Sequence, residues 1–156
     1  MEEKLQHFLY PANLFANHKP HIITTILGSC VSVCLWDPLL RLGGMNHYML
    51  PLWNGEGLAS PKYGNIAIQR LIEKMEAMGS VRSRMVAKIF GGAEVINSAN
   101  NQFRIGERNV LMANEMLKDA GILIGGLSTG GNLGRKILYH TDTGEVMQRL
   151  INKSGG

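Results

Sequence analysis

Long hydrophobic runs are missing from this chain: no apolar stretch approaches the ~20 residues a membrane-spanning helix needs. The polar start Met1-Glu2-Glu3-Lys4 has no apolar core of the secretory type. A cytoplasmic protein without membrane insertion is therefore expected. Cysteine is scarce, with only Cys30 and Cys34. Four residues apart on an extended segment, two side chains share a face but lie roughly 13 Å apart, too far for a disulfide. A reducing compartment keeps both as thiols, and no neighbouring histidine pair completes a zinc site. Basic clusters are missing too. Sixteen Lys and Arg against twelve Asp and Glu give a net charge of +4, but they are scattered, with only four Phe and two Trp for company. Nucleic-acid binding calls for a basic stripe interleaved with aromatics, so it is not expected. A mild attraction to an acidic partner surface is. Repeats, linkers and low-complexity tracts are likewise absent. With 45% hydrophobic and 18% charged residues over 156 positions, one globular domain with its own core follows.

What is present reads as α/β. Short apolar or alternating runs at 5–10, 21–27, 31–36 and 42–50 predict strands. Pro11-Ala12-Asn13, Asn17-His18-Lys19-Pro20 and Asp37-Pro38 punctuate them. Gly28-Ser29 breaks what would otherwise be one long strand and forces a turn or bulge just before Cys30. After a loop at 51–60, a helix is predicted with Ser60 as cap, Pro61 in its first position and Gly79 as terminator. Ile68, Leu71, Ile72, Met75 and Met78 form its apolar face. A strand at 85–90 ends in Gly91-Gly92-Ala93, and an irregular Asn- and Ser-rich stretch covers 94–103. A second helix at about 106–120 closes on Gly121. A strand at 122–127, a glycine-rich loop at 128–134 and a hairpin around Thr141-Asp142-Thr143-Gly144 complete the chain. The fold class expected is a single-domain layered α/β sandwich with a mainly antiparallel sheet and two main helices.

Chemistry points to Cys30 and His47. A glycine-containing turn ahead of a thiol exposes backbone N–H groups, which lower a thiol pKa and bind a developing oxyanion. Gly28 and Ser29 are the backbone candidates for that role. The competing reading is packing, since cysteine is among the most buried residue types; Cys34, between Val33 and Leu35, takes that reading more strongly. If 31–36 and 42–50 form a hairpin around 37–41, Cys30 stands opposite His47, within reach of a thiol–imidazole hydrogen bond. A slip of one residue would carry either side chain to the wrong face. A third group must fix the imidazole tautomer, and Thr24 and Thr25 are the nearest candidates. Strand threonines are otherwise ordinary propensity residues. His7, His18, His21 and His140 read as solvated or strand-end residues.

These residues fall in runs that resemble a known family. Thr24-Thr25-Ile26-Leu27-Gly28-Ser29-Cys30-Val31-Ser32-Val33-Cys34-Leu35-Trp36-Asp37-Pro38 and His47-Tyr48-Met49-Leu50-Pro51 are similar to the signature of CheD, the bacterial chemoreceptor glutamine deamidase. So are Lys62-Tyr63-Gly64-Asn65, Lys88-Ile89-Phe90-Gly91-Gly92-Ala93, Ile105-Gly106-Glu107-Arg108-Asn109 and Gly130-Gly131-Asn132-Leu133-Gly134-Arg135-Lys136, with Thr143-Gly144 behind them. The resemblance spans nearly the whole chain and implies one deamidase domain over 1–156. It implies a triad of Cys30, His47 and Thr24, the threonine six residues before the cysteine, and a site like that of the cytotoxic necrotizing factor toxins. The family commonly has an acidic residue shortly before the Gly130-Gly131 pair; this chain has Ser128-Thr129.

The implied reaction is hydrolysis of a glutamine side-chain amide through a cysteine thioester, with no metal or organic cofactor. The implied substrates are glutamines of methyl-accepting chemotaxis receptors, and a CheC-type phosphatase is the implied second partner. Two other classes compete: another cysteine hydrolase, such as a peptidase or transglutaminase, and a non-catalytic adaptor. The glycine pairs at 91–92 and 130–131 match no phosphate-binding pattern and read as tight strand-end turns.

Overall fold

The computed structural model describes residues 3–94 and 104–151. Nine strands and two α-helices follow in the order β1 (Leu5–Phe8), β2 (Asn13–Asn17), β3 (His21–Leu27), β4 (Val31–Asp37), β5 (Leu42–His47), α1 (Gly64–Ala77), β6 (Val86–Gly91), α2 (Ile105–Asp119), β7 (Leu123–Thr129), β8 (Gly134–His140) and β9 (Val146–Ile151). Two sheets result. One has the order β1-β3-β8-β9, the other β2-β5-β4-β6-β7. Pairing is antiparallel except at β1–β3 and β6–β7. The mainly antiparallel layered α/β fold expected from the sequence is the one observed.

Burial explains the layers. Along β3, His21, Ile23, Thr25 and Leu27 are buried while the residues between them are not, the alternation of a strand with one face in the core. In β4 every residue but Trp36 is buried, because this central strand is covered on both faces. Val31, Val33 and Leu35 join the cluster built with α1, including Ile68, Leu71, Ile72 and Met75. Cys34 joins the cluster between the sheets with Leu27, Met45 and Tyr139. The molecule therefore stacks sheet, sheet and helices, with one apolar layer in each gap.

Three expectations need correction. The first is a strand that went unread, β2, which lies antiparallel on β5 and sets Asn13 opposite His47. The second is the start of α1, which begins at Gly64 with Tyr63 as its N-cap rather than at Pro61. Residues 60–63 are committed elsewhere: Met49 and Leu50 both donate to the Lys62 carbonyl, and Leu50 and Tyr63 form a bridge. The third is the β4–β5 register. Cys34 stands opposite Met45 and Val31 opposite Tyr48, two residues from the expected pairing. A shift of two preserves the face, so Cys30 and His47 stay on the same side as diagonal neighbours rather than a facing pair.

Candidate active site

Cys30 sits in the turn between β3 and β4, half-buried against the inter-sheet cluster. Two carbonyls of that turn are held from one side: Gly92 donates to Cys30 O at 2.9 Å and Ala93 to Gly28 O at 3.0 Å. Gly91 and Gly92 have φ of +107° and +72°, and a Cβ on Gly91 would overlap the Cys30 carbonyl. Only glycine combines that backbone with that approach. With the carbonyls taken, the N–H groups of Ser29 and Cys30 donate to no backbone carbonyl among the described residues. The Gly28 N–H likewise donates to none, and the Cys30 N–H faces its own thiol sulfur. The Gly130-Gly131 pair is also left-handed, and Gly130 donates to Gly91 O, tying the two glycine turns together. Ser128 meets the buried Arg135, which donates to its Oγ and carbonyl and to Gly130 O.

His47 ends β5 and is 2% exposed. Its Nδ1 lies 2.7 Å from Thr25 Oγ1, and that oxygen lies 2.7 Å from the Leu9 carbonyl. A hydroxyl has one proton, and a carbonyl only accepts. Thr25 therefore donates to Leu9 O and accepts from His47 Nδ1–H. This fixes the tautomer: Nδ1 carries the proton and Nε2 is a bare lone pair. Nε2 is buried without a hydrogen-bond partner among the described residues. A base with its proton-accepting nitrogen unoccupied is the arrangement proton abstraction requires. No hydrogen bond joins Nε2 to the Cys30 thiol in this resting state, a spacing that often closes only with substrate bound.

The threonine facing His47 is Thr25, whereas Thr24 was expected. Thr24 points to the other face of β3, opposite Leu138. The expectation of Thr24 rested on the family resemblance, and alternation along β3 puts the two threonines on opposite faces. The signal that would have found Thr25 is internal to β3, since it shares parity with the apolar Ile23 and Leu27. Of the histidines outside the site, His21 stands at the start of β3, a strand-end position as expected, and is buried with its ring bonded to the Lys19 carbonyl.

Electrostatics keeps both the Cys30 thiol and the His47 imidazole neutral near neutral pH. Burial pushes His47 down to about 4. Burial also raises the Cys30 thiol, and the opposing pull of its own backbone N–H is the smaller effect. The turn thus does not lower the thiol pKa on balance, contrary to the sequence expectation. Burial pushes Cys34 far higher still, at 1% exposure. Two outcomes follow. The rate of substrate turnover against pH has no limb near the ordinary histidine value and falls on the acid side only as pH approaches about 4, where Nε2 takes a proton. Iodoacetamide labels Cys30 much faster than Cys34 at neutral pH, and the Cys30 rate keeps climbing through the alkaline range as thiolate forms. Equal labelling of the two thiols would contradict this site.

Comparison with known proteins places these residues in context. A family model described as CheD chemotactic sensory transduction matches residues 49–150. A protein of Sulfurimonas denitrificans named probable chemoreceptor glutamine deamidase CheD is 49% identical over 148 residues, covering 94% of this chain and 95% of the relative. One of the same name from Trichlorobacter lovleyi is 48% identical, with 91% of this chain and 88% of the relative covered. The chemoreceptor glutamine deamidase CheD of Thermotoga maritima is 41% identical, with coverages of 88% and 85%.

Proposed function

The chain belongs to the CheD family, and we propose on that premise that it is a chemoreceptor glutamine deamidase of bacterial chemotaxis, with Cys30 as nucleophile and His47 as general base. The observation that carries the site assignment is the bare, buried Nε2 of His47, held in that tautomer by Thr25. Among the described residues no helix is long and apolar enough to cross a membrane. We place the enzyme in the cytoplasm, where receptor helical bundles are accessible.

The steps balance as follows. Cys30 Sγ attacks the glutamine carboxamide carbon while its proton moves to His47 Nε2. The C–O π electrons move to oxygen, and backbone N–H groups of the turn, Ser29 among them, stabilise that oxyanion. Gly28, the other backbone candidate from the sequence, contributes by its carbonyl, which anchors the turn to Ala93. The oxyanion collapses, the C–N bond breaks, and the imidazolium gives its proton to the departing ammonia, leaving a thioester. Burial makes that imidazolium a strong acid, which favours this transfer. Water, deprotonated by Nε2, then attacks the thioester to give glutamate and regenerate the thiol. Throughout, Nδ1–H stays on Thr25. Release of ammonia from a receptor fragment without chain cleavage or cross-linking separates this reaction from a peptidase or a transglutaminase. A CheC-type phosphatase is the proposed second partner, resting on the resemblance of the motifs to the family.

The orienting threonine gives a sharp test. Thr25→Val keeps the shape but removes the acceptor for Nδ1–H, so the imidazole loses its fixed tautomer. A loss of roughly 10-fold to 10²-fold in kcat is expected, part of what general-base positioning contributes. Thr25→Ser retains most activity, and Thr24→Val, on the far face, leaves kcat close to wild type. A crippled Thr24→Val beside a normal Thr25→Val would restore Thr24 to the triad.

A further inference from the structure

We propose that Asn109 is a positioning residue for the reaction, its side-chain amide clamping the turn that carries Cys30 to the segment that follows His47; this rests on the roles proposed for those two residues. Asn109 lies on the buried face of α2 and is fully buried. Its Nδ2 donates to Ser29 O at 3.0 Å and to Met49 O at 3.0 Å. Ser29 immediately precedes the nucleophile, and Met49 lies two residues beyond the base.

The place of this contact in the sheet gives it its meaning. The last bridge between the β4 and β5 strands is Val31–Tyr48, closed by two backbone hydrogen bonds of 3.1 and 3.0 Å. One step further the ladder stops, and Cys30 and Met49 make no such pair. The amide of Asn109 takes over there. Its two N–H protons diverge in a plane, one for each carbonyl. The orientation is not interchangeable, since the reversed amide would set an oxygen against two carbonyl oxygens. The helix is clasped in turn: Tyr48 Oη donates to the Asn109 backbone carbonyl at 2.5 Å. From the opposite side the Cys30 turn is held by Gly92 and Ala93, and Gly92 packs on Gly106 of the same helix. The N-terminal turns of α2 thus grip both flanks of the nucleophile, and Asn109 is the member that also reaches the segment of the base.

The test separates positioning from stability. Asn109→Leu preserves bulk and removes both donors. With a receptor fragment as substrate, kcat falls roughly 10²-fold, the scale of a small misplacement of reacting groups. KM stays within about twofold, because substrate contacts are untouched. Cys30 alkylation per folded molecule slows, and the Asn109→Leu/His47→Ala double variant is no slower than His47→Ala alone, since both impair the same proton transfer from the thiol to Nε2 during attack. A residue that only stabilised the fold would lower the melting temperature, leave the rate per folded molecule intact, and add no such coupling. Should Asn109→Leu fail to fold, Asn109→Asp has the same shape with at most one proton to give, and the same kcat and KM split is read on it. A kcat within about twofold of wild type, or losses that multiply with those of His47→Ala, overturns the clamp. Cys30→Ala run alongside distinguishes the failures: an active Cys30→Ala refutes the nucleophile, whereas an inactive one beside a normal Asn109 variant refutes the clamp alone.

Discussion

Cys30→Ala is expected to abolish ammonia release from receptor glutamines, with no residual turnover above the uncatalysed rate. In the proposed mechanism the sulfur is the atom that bonds to the substrate, and among the described residues no neighbouring group replaces it. The other thiol, Cys34, is sealed between the sheets at 1% exposure and pushed far from ionisation. Cys30→Ser is expected to be nearly as inactive, because a hydroxyl is much harder to ionise than a thiol, and the burial that raises the Cys30 pKa also opposes an alkoxide. The site should remain folded in both variants. Cys30 is half-buried at the rim of its cluster, and the loss of one sulfur there leaves Leu27, Met45 and Tyr139 packed as before. A coupled ammonia assay with the melting temperature measured in parallel checks both statements.

His47→Ala is expected to cost roughly 10²–10⁴-fold in kcat, the range a positioned general base contributes. The loss is large because the thiol is not ionised in advance. With His47 held near 4 and the Cys30 thiol raised, the resting pair is two neutral groups, so proton transfer happens during attack and depends wholly on Nε2. Residual activity of this variant rises steeply with pH, as hydroxide does the work of the missing base. Wild type shows a flatter profile through neutrality. A His47→Ala enzyme with the wild-type pH profile and rate would mean that some other group activates the thiol.

Much of this arrangement was legible in the sequence, and the rest failed for identifiable reasons. Strand β3 was readable to its ends because its alternation is regular and Gly28 stops it. Helices α1 and α2 announced their ends through Gly79 and Gly121. Strand β2 was lost because Leu14-Phe15-Ala16 is too short a run between turn signals to read as a strand, and it forms only by pairing with β5. The hairpin register was misjudged by two, since Asp37 pairs with Leu42 around a turn at 38–41, and next to the site the Asn46 side-chain carbonyl accepts from Val33 N at 2.8 Å where a backbone carbonyl ordinarily stands. Such substitutions depend on tertiary contacts that spacing does not encode. Cys30 and His47 were singled out by chemistry and motif, and the fold brings them to the same end of the inter-sheet layer as proposed partners. Thr24 came from the family resemblance, whereas the parity of Thr25 with Ile23 and Leu27 along β3 marks it as the buried threonine.

The central claim is that one neutral cysteine–histidine pair, Cys30 with His47, hydrolyses receptor glutamines. The most direct measurement is site-mapped mass spectrometry of a purified receptor fragment incubated with wild type, Cys30→Ala, His47→Ala and Cys34→Ala. Conversion of glutamine to glutamate at defined positions by wild type and Cys34→Ala, with none from Cys30→Ala and only slow conversion from His47→Ala, is the predicted result. Conversion by Cys30→Ala at the wild-type rate would contradict it.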